Sequence, residues 1–103
     1  MKIVWSDVSI SDLENIHVYI SHDSPFLADS FVSRLVLSTD GISDFSKIGR
    51  VSPEFNSENI REIIVQNYRI IYHIFPDFIY ILTVYHAARN LKDDERFFYL
   101  SNP

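Results

Sequence analysis

The order of apolar patterns along the chain predicts an α+β fold of the order β-α-α-β-β-β, in which two N-terminal helices pack on one face of a mainly antiparallel sheet. Three observations predict it. A short β-branched and aromatic segment opens the chain, two amphipathic segments with capping residues follow, and three segments rich in Ile, Val and Tyr fill most of the second half. At 103 residues, the chain is expected to form one domain, residues 1–103, around one core.

The first strand and the first helix meet at a serine. The segment "KIVW" has the β-branched and aromatic composition of a strand, and it stops at Ser6. Ser6 is the predicted N-cap of the helix "SDVSISDLENIHVYIS", and Asp7 lies in the first turn, where the helix dipole favours an acidic side chain. Apolar residues at helical spacing predict the buried face of this helix: Ile10, Leu13, Ile16 or His17, and Ile20.

A second helix is predicted in "HDSPFLADSFVSRLVLSTDGISDF". Ser24 is its expected N-cap, and Pro25 takes the first helical position, where the missing N–H has no partner to lose. The helix is expected to end or bend between Thr39 and Gly41, because these residues have low helix propensity. Its apolar side is predicted to contain Leu27, Ala28, Phe31, Leu35 and Ile42.

A loop and three strands complete the predicted fold. The segment "SKIGRVSPEFNSE" is expected to be a loop, because it is rich in Gly, Pro and small polar residues and has no helical or alternating period. The segments "NIREIIVQ", "YRIIYHIF" and "FIYILTVYH" each have strand composition. The connections "QN" and "PD" are short enough for tight hairpins, so the three strands are expected to form an antiparallel meander.

Both faces of this meander are largely apolar. With a two-residue turn at Gln66 and Asn67, one face carries Ile63, Val65, Tyr68, Ile70 and Tyr72, and the other carries Ile60, Glu62, Ile64, Arg69, Ile71 and His73. Two helices can cover only one face. The second face is therefore a candidate binding surface for a partner or for the chain's own C-terminal "RFFYL".

The composition excludes several kinds of chemistry. The chain has no cysteine, which removes disulfides, thiolate catalysis and cysteine-based zinc sites. The histidines His17, His22 and His73 lack zinc-ligand spacing, so no metal and no cofactor are expected. The longest apolar runs are interrupted before about 20 residues, and the N-terminus lacks the apolar core of a signal peptide. We therefore expect a soluble cytoplasmic protein without membrane contact.

Charge is distributed unevenly along the chain. The net charge of −5 opposes generic attraction to nucleic acid, so direct sequence-specific nucleic-acid binding is not expected. Residues 1–46 contain two basic and seven acidic residues, whereas residues 47–92 contain six basic and four acidic ones. The second half contains Arg50, Arg61, Arg69 and Arg89, which would form a local anion-attracting patch if they converge.

Several short motifs resemble those of one protein family. They are the opening "VWSDVSISDLENIHVYI", the loop "IGR", the strand start "IRE", the hairpin segment "NYRIIY" and the final "YILTVYHAARN". In this order they resemble the RelE/ParE superfamily of toxins from type II toxin–antitoxin systems, closest to the ParE branch. The resemblance implies an inhibitor of DNA gyrase that blocks replication and is neutralised by a cognate antitoxin in a hetero-oligomer.

Two alternatives remain open at this point. The RelE branch implies a ribosome-dependent mRNA endoribonuclease, in which Arg69 and Arg89 would stabilise phosphate charge and His86 would be the base. Glu62 opposes this reading because its carboxylate would repel phosphate, and so does the acidic tail around Asp93 to Glu95. The other alternative is a non-toxic family member that retains only antitoxin binding.

The residues expected to contact the target or the antitoxin lie mostly at strand ends. They are Arg50, Arg61, Arg69, His86, Arg89 and Asn90. Arg69 is expected to pair with Glu62 across the hairpin, for about 0.2 to 1 kcal/mol if the pair is exposed. Arg69→Ala is expected to weaken target or antitoxin binding and to cost little stability, because the residue lies near a strand end. Arg50 is expected to bind either an acid in the loop or backbone carbonyls. His86 is expected to be half-exposed and hydrogen-bonded to the backbone.

Overall fold

The elements of the chain follow the predicted order, with a few short additions. The computed structural model describes residues 1–101, except for the side chains of Lys92, Phe98 and Ser101. The strands are β1 (Lys2–Trp5), β2 (Arg50–Val51), β3 (Ile60–Val65), β4 (Tyr68–Ile74) and β5 (Phe78–His86). The helices are α1 (Asp7–Ser21), α2 (Pro25–Leu37), α3 (Asp40–Asp44) and α4 (Phe98–Ser101), with two 3₁₀ turns at Leu91–Asp93 and Glu95–Phe97.

The strands form one sheet in the order β1-β5-β4-β3-β2. β1 pairs with β5 in parallel, and the other neighbouring pairs are antiparallel. Val65 lies opposite Tyr68, which confirms the two-residue turn, and Gln66 in that turn has a positive φ of 55°. The predicted α+β class is therefore confirmed.

Both predicted helix starts are present. The Ser6 Oγ accepts a hydrogen bond from the Ser9 N–H at 3.0 Å, and the Ser24 Oγ accepts one from the Leu27 N–H at 3.2 Å. α2 ends at Leu37, just before the weak helix formers, and the chain continues into the single turn of α3. Within residues 1–101, no helix is both long and apolar enough to cross a membrane.

The main core lies between α1, α2 and the sheet. Its buried residues come from every layer: Ile16, Leu35, Ile42, Ile70, Tyr72, Ile79, Ile81 and Val84. Two residues predicted for this core lie outside it, since Ile10 is 44% exposed and Leu27 is 56% exposed. The small Ser9 is buried instead, because α1 approaches β5 closely through the hydrogen bonds of its N-cap serine.

The chain itself covers the second face of the sheet. Phe55 from the loop after β2, together with Leu91 and Phe97 from the C-terminal segment, packs on Ile71 and Leu82 of the sheet. Of the two occupants expected for this face, the described residues therefore place the chain's own tail there. The side chain of Phe98, which belongs to the predicted "RFFYL" cover, lies outside the described part.

The loop after α3 is more ordered than its composition predicts. Arg50 and Val51 form β2, which pairs with Glu62 and Arg61 of β3. A side chain at Gly49 would place its Cβ 2.6 Å from both the Glu62 carbonyl oxygen and the Tyr72 hydroxyl, so only glycine allows this approach. The predicted loop is present but is interrupted by the two residues of β2, because strand pairing with β3 is a long-range contact that local composition does not reveal.

Candidate functional site

Arg69 lies at the centre of a buried network of charges. The residue is 4% exposed, and its guanidinium donates to both carboxylate oxygens of Glu54 at 2.9 and 2.8 Å and to Glu62 at 3.2 Å. The Nη2 atom also donates to the Arg89 carbonyl at 2.7 Å. Glu62 is itself buried and accepts from Arg50 at 2.8 and 2.6 Å. Two arginines and two glutamates thus balance each other, with Arg69 and Glu62 buried and Arg50 at the exposed side of the network.

The geometry of the network shifts the pKa values of Glu54 and Arg69. Burial alone would raise the pKa of Glu54, but its hydrogen bonds with Arg69 and the Leu91 N–H outweigh burial and hold the pKa below its ordinary value. Burial likewise opposes the charge of Arg69, but the hydrogen bonds and charge of Glu54, with the charge of Glu62, raise the pKa of Arg69. Both groups are therefore charged at neutral pH.

The environment expected for Arg69 was wrong in one respect. The predicted ion pair with Glu62 is present, but the side chain is buried instead of exposed. The reason is that Glu54, from the loop after β2, and the backbone of Arg89 close over it. The burial of Arg69 now favours a large loss of stability for Arg69→Ala in place of the small one expected, because the substitution would leave Glu54 without its counter-charge and Glu62 with Arg50 alone.

Two further arginines of the predicted contact set are held within the fold. Arg50 binds an acid, Glu62, although 59% of its side chain is exposed. Arg61 donates instead to backbone carbonyls, those of Glu58 at 2.8 Å and Gly49 at 2.9 Å. The strand alternation of β3 directs Arg61 to the opposite face of the sheet from Glu62. The four arginines consequently do not converge into one anion-attracting patch.

The end of β5 presents the exposed members of the predicted set. The His86 Nδ1 accepts a hydrogen bond from the Ala88 N–H at 3.2 Å, as expected, although the residue is more exposed than predicted. The Arg89 guanidinium lies 6.0 Å from the centroid of the Tyr85 ring. Among the described residues, no carboxylate forms an ion pair with Arg89. Asn90 lies beside it in a shallow hollow of about 330 Å³ that also reaches Arg69.

The sequence did not reveal two acidic residues that hold the predicted site residues and β5 in place. Glu54 lies in a segment without periodicity, and nothing local marks it as the main partner of Arg69. Asp12 lies in α1, where its carboxylate accepts hydrogen bonds from the Val84 N–H at 3.0 Å and the Thr83 hydroxyl at 2.5 Å on β5. No group of three or more metal-binding side chains occurs within the part of the chain that the structure describes.

Comparison with known proteins defines the class of protein that has this fold and site. A chain of a solved structure described as the chromosomal ParDE TA system from P. aeruginosa has the same fold, with a TM-score of 0.70 and 18% identity over 84% of this chain and 95% of that chain. Toxin RelE2 of Caulobacter vibrioides is 29% identical over 89 residues, which are 85% of this chain and 97% of that protein. This class is the RelE/ParE superfamily of toxins, as the motifs indicated.

The family follows from the sequence of the chain. Residues 3–91 match the family model described as the ParE toxin of type II toxin-antitoxin system, parDE. Because the match spans most of the chain, the protein belongs to this family and is the toxin component of a type II toxin–antitoxin system. Membership of this family implies an antitoxin as its partner.

Proposed function

We propose that this toxin is a ParE-type inhibitor of DNA gyrase that blocks replication in the cytoplasm. The observation that carries the proposal is the neutralised network around Arg69. A ribonuclease needs cations that approach the scissile phosphate. Here the guanidinium of Arg69 is buried between the carboxylates of Glu54 and Glu62, which would repel a phosphate. The family description, which names ParE, supports the same choice.

A second candidate function is ribosome-dependent mRNA cleavage. Its support is the likeness to Toxin RelE2 of Caulobacter vibrioides and the exposed pair of His86 and Arg89. In that case His86 would take the ribose proton and Arg89 would stabilise the phosphate. The pair lacks the second cation that Arg69 was expected to supply.

A third candidate is a non-toxic protein that only binds its antitoxin. It would use the same surfaces without a target.

Neutralisation by a cognate antitoxin in a hetero-oligomer belongs to the same proposal. Large apolar side chains are exposed in the C-terminal part of α1 and the N-terminal part of α2, and Tyr19 is 75% exposed. Exposed apolar side chains of this kind suit a segment of an antitoxin that folds on binding. They are Val18, Tyr19, Phe26 and Leu27.

The test compares the two targets in the same cells. Brief expression of the protein should relax plasmid supercoiling while translated transcripts remain intact, and the purified protein should inhibit purified gyrase. Rapid cleavage of translated messages with unchanged supercoiling would replace the gyrase proposal with the ribonuclease. Unchanged growth, with folded protein present, would leave only the antitoxin-binding function.

A further inference from the structure

A cleft of about 570 Å³ lies where the edge strand β1 meets the turn between β4 and β5. Its volume is within the range of pockets that hold small ligands. Four apolar or aromatic residues and two charged ones line it: Val4, Phe75, Phe78, Tyr80, Lys2 and Asp77. Among the described residues, none of those in the network around Arg69 lines this cleft.

Strand register brings the lining together on one face of the sheet. The Phe75 N–H donates to the Phe78 carbonyl at 2.9 Å, which closes the turn and sets the two residues opposite each other. β1 continues the same surface, because Lys2 lies opposite Phe78 and Val4 lies opposite Tyr80. Opposite residues of neighbouring strands point to the same face, so the lining forms one continuous surface.

The aromatic rings at this turn are already stacked. The Phe75 and Phe78 rings lie 14° from parallel with their centroids 4.9 Å apart, and the His73 ring stacks on Phe75 at 4.2 Å. In the part of the chain that the structure describes, Val4, Phe75 and Phe78 belong to neither of the two apolar cores, and all three are half-buried. A bound aromatic ring can therefore extend an existing stack over surface that the fold leaves open.

Two opposite charges lie beside these rings. Lys2 and Asp77 are exposed, and within the described residues neither side chain forms an ion pair. Because Lys2 lies opposite Phe78, the residue after Asp77, the two charges start from neighbouring positions of β1 and the turn. A ligand with one carboxylate and one ammonium on the same carbon matches this pair, whereas a polyanion or a polycation meets a like charge.

The extent of the cleft favours a small molecule over a protein surface. Six residues line it, whereas a stable protein interface uses roughly 20 to 30 residues a side. Small-molecule sites are mostly apolar and contain a few polar groups that fix the orientation of the ligand. The cleft has this composition, with Lys2 and Asp77 as the orienting groups.

We propose that this cleft binds a free aromatic α-amino acid in its zwitterionic form. The ring of the amino acid packs on Phe78 and Tyr80 in continuation of the stack. Its carboxylate pairs with the Lys2 ammonium, and its ammonium pairs with the Asp77 carboxylate. Because the ligand binds the folded chain, the stability of the toxin rises with the concentration of the amino acid. The inference goes beyond the proposed function and holds whichever of gyrase or ribosome is the target.

An NMR titration of the full ¹⁵N-labelled chain tests the proposal. L-Phenylalanine is the probe, and hydrocinnamate and phenethylamine are the analogues that lack its ammonium and its carboxylate, respectively. L-Phenylalanine should shift the amides of Val4, Phe78 and Tyr80. Each analogue should bind about two- to fivefold more weakly, which is the factor that one exposed ion pair supplies.

Matched charge variants assign the two ends of the ligand. Lys2→Gln should weaken the binding of L-phenylalanine and hydrocinnamate about two- to fivefold and should not weaken that of phenethylamine. Asp77→Asn should weaken the binding of L-phenylalanine and phenethylamine by the same factor and should not weaken that of hydrocinnamate. Lys47→Gln, which removes an exposed lysine outside the cleft lining, should leave all three affinities unchanged. The spectrum of each free variant reports that it is folded.

Three outcomes would overturn the proposal. They are the absence of shifts at Val4, Phe78 and Tyr80 with L-phenylalanine, equal affinity for L-phenylalanine and its uncharged N-acetyl amide, and unchanged L-phenylalanine affinity in both Lys2→Gln and Asp77→Asn. The second result would assign the cleft to an aromatic side chain of a protein partner, because the capped derivative presents the residue as it occurs in a polypeptide. None of these results bears on gyrase inhibition, so this proposal and the proposed function fail separately.

Discussion

Arg69 and Arg89 lie next to each other in space and have opposite roles. The Arg69 guanidinium is enclosed by two carboxylates and holds the Arg89 carbonyl, whereas the Arg89 side chain lies in solvent against the Tyr85 ring. The backbone of the exposed arginine is thus part of the support of the buried one. The comparison shows that an arginine near a strand end either stabilises the fold or stays accessible to a partner, depending on whether loop residues bury its side chain. Substitutions at each side should separate these roles.

The largest effect on stability is expected from substitution of the buried Arg69. Arg69→Ala should lower the free energy of unfolding by about 3 to 5 kcal/mol, because Glu54 would lose its counter-charge and Glu62 would keep only that of Arg50. Denaturant unfolding followed by circular dichroism measures this loss, with Arg34→Ala as a control that removes an exposed arginine. A loss below about 1 kcal/mol would mean that the network is solvated in solution.

Glu54→Gln should have a smaller effect that depends on pH. At pH 7 this substitution should lower the free energy of unfolding by about 1 to 3 kcal/mol, since the amide can replace only part of the carboxylate's hydrogen bonding. The folded pKa of Glu54 lies below its ordinary value of about 4.5, so the folded state binds fewer protons near that pH. The stability that Glu54 contributes is therefore fully present above that value and is lost as the pH falls through the folded pKa.

Unfolding free energies measured from pH 7 down to pH 3 check this dependence. The difference between the wild-type protein and Glu54→Gln should narrow as the solution becomes acidic. A constant difference across this range would show that the carboxylate is not the group that Arg69 requires.

The sequence predicted the local features of the molecule better than the environment of its charges. The limits of β5, the hairpin turn and both helix caps follow from neighbouring residues, and the structure confirms them. The burial of Arg69 depends on residues 15 and 20 positions away in the chain, Glu54 and Arg89. Contacts between residues so far apart in the chain leave no periodic pattern in the sequence. The exposure of Leu27 was missed for a related reason, because helical spacing does not show where the core ends.

Tyr72→Phe should lower the free energy of unfolding by about 1 kcal/mol, because it removes the hydrogen bonds of the hydroxyl group. The Tyr72 hydroxyl accepts from the Gly49 N–H at 3.0 Å and donates to the Ser46 carbonyl at 2.7 Å, and it thereby fixes the segment that leads to Arg50. The change should also speed hydrogen exchange of the Gly49 amide, which a general loss of packing would not do selectively. Unchanged exchange at Gly49 would show that β2 is held by its pairing with β3 alone.

The smallest effect on stability is expected at Arg89, where the effect on activity should be large. Arg89→Ala removes an exposed side chain that rests on the Tyr85 ring, so the free energy of unfolding should change by no more than about 0.5 kcal/mol. Arg69 would keep its hydrogen bond, because that bond is made to the backbone carbonyl of residue 89 and not to its side chain. Growth arrest on expression should nevertheless be lost or strongly reduced if the end of β5 contacts a target. A variant that is both stable and fully toxic would remove Arg89 from the functional surface, whereas a large loss of stability would show that its side chain supports the network as well as its backbone does.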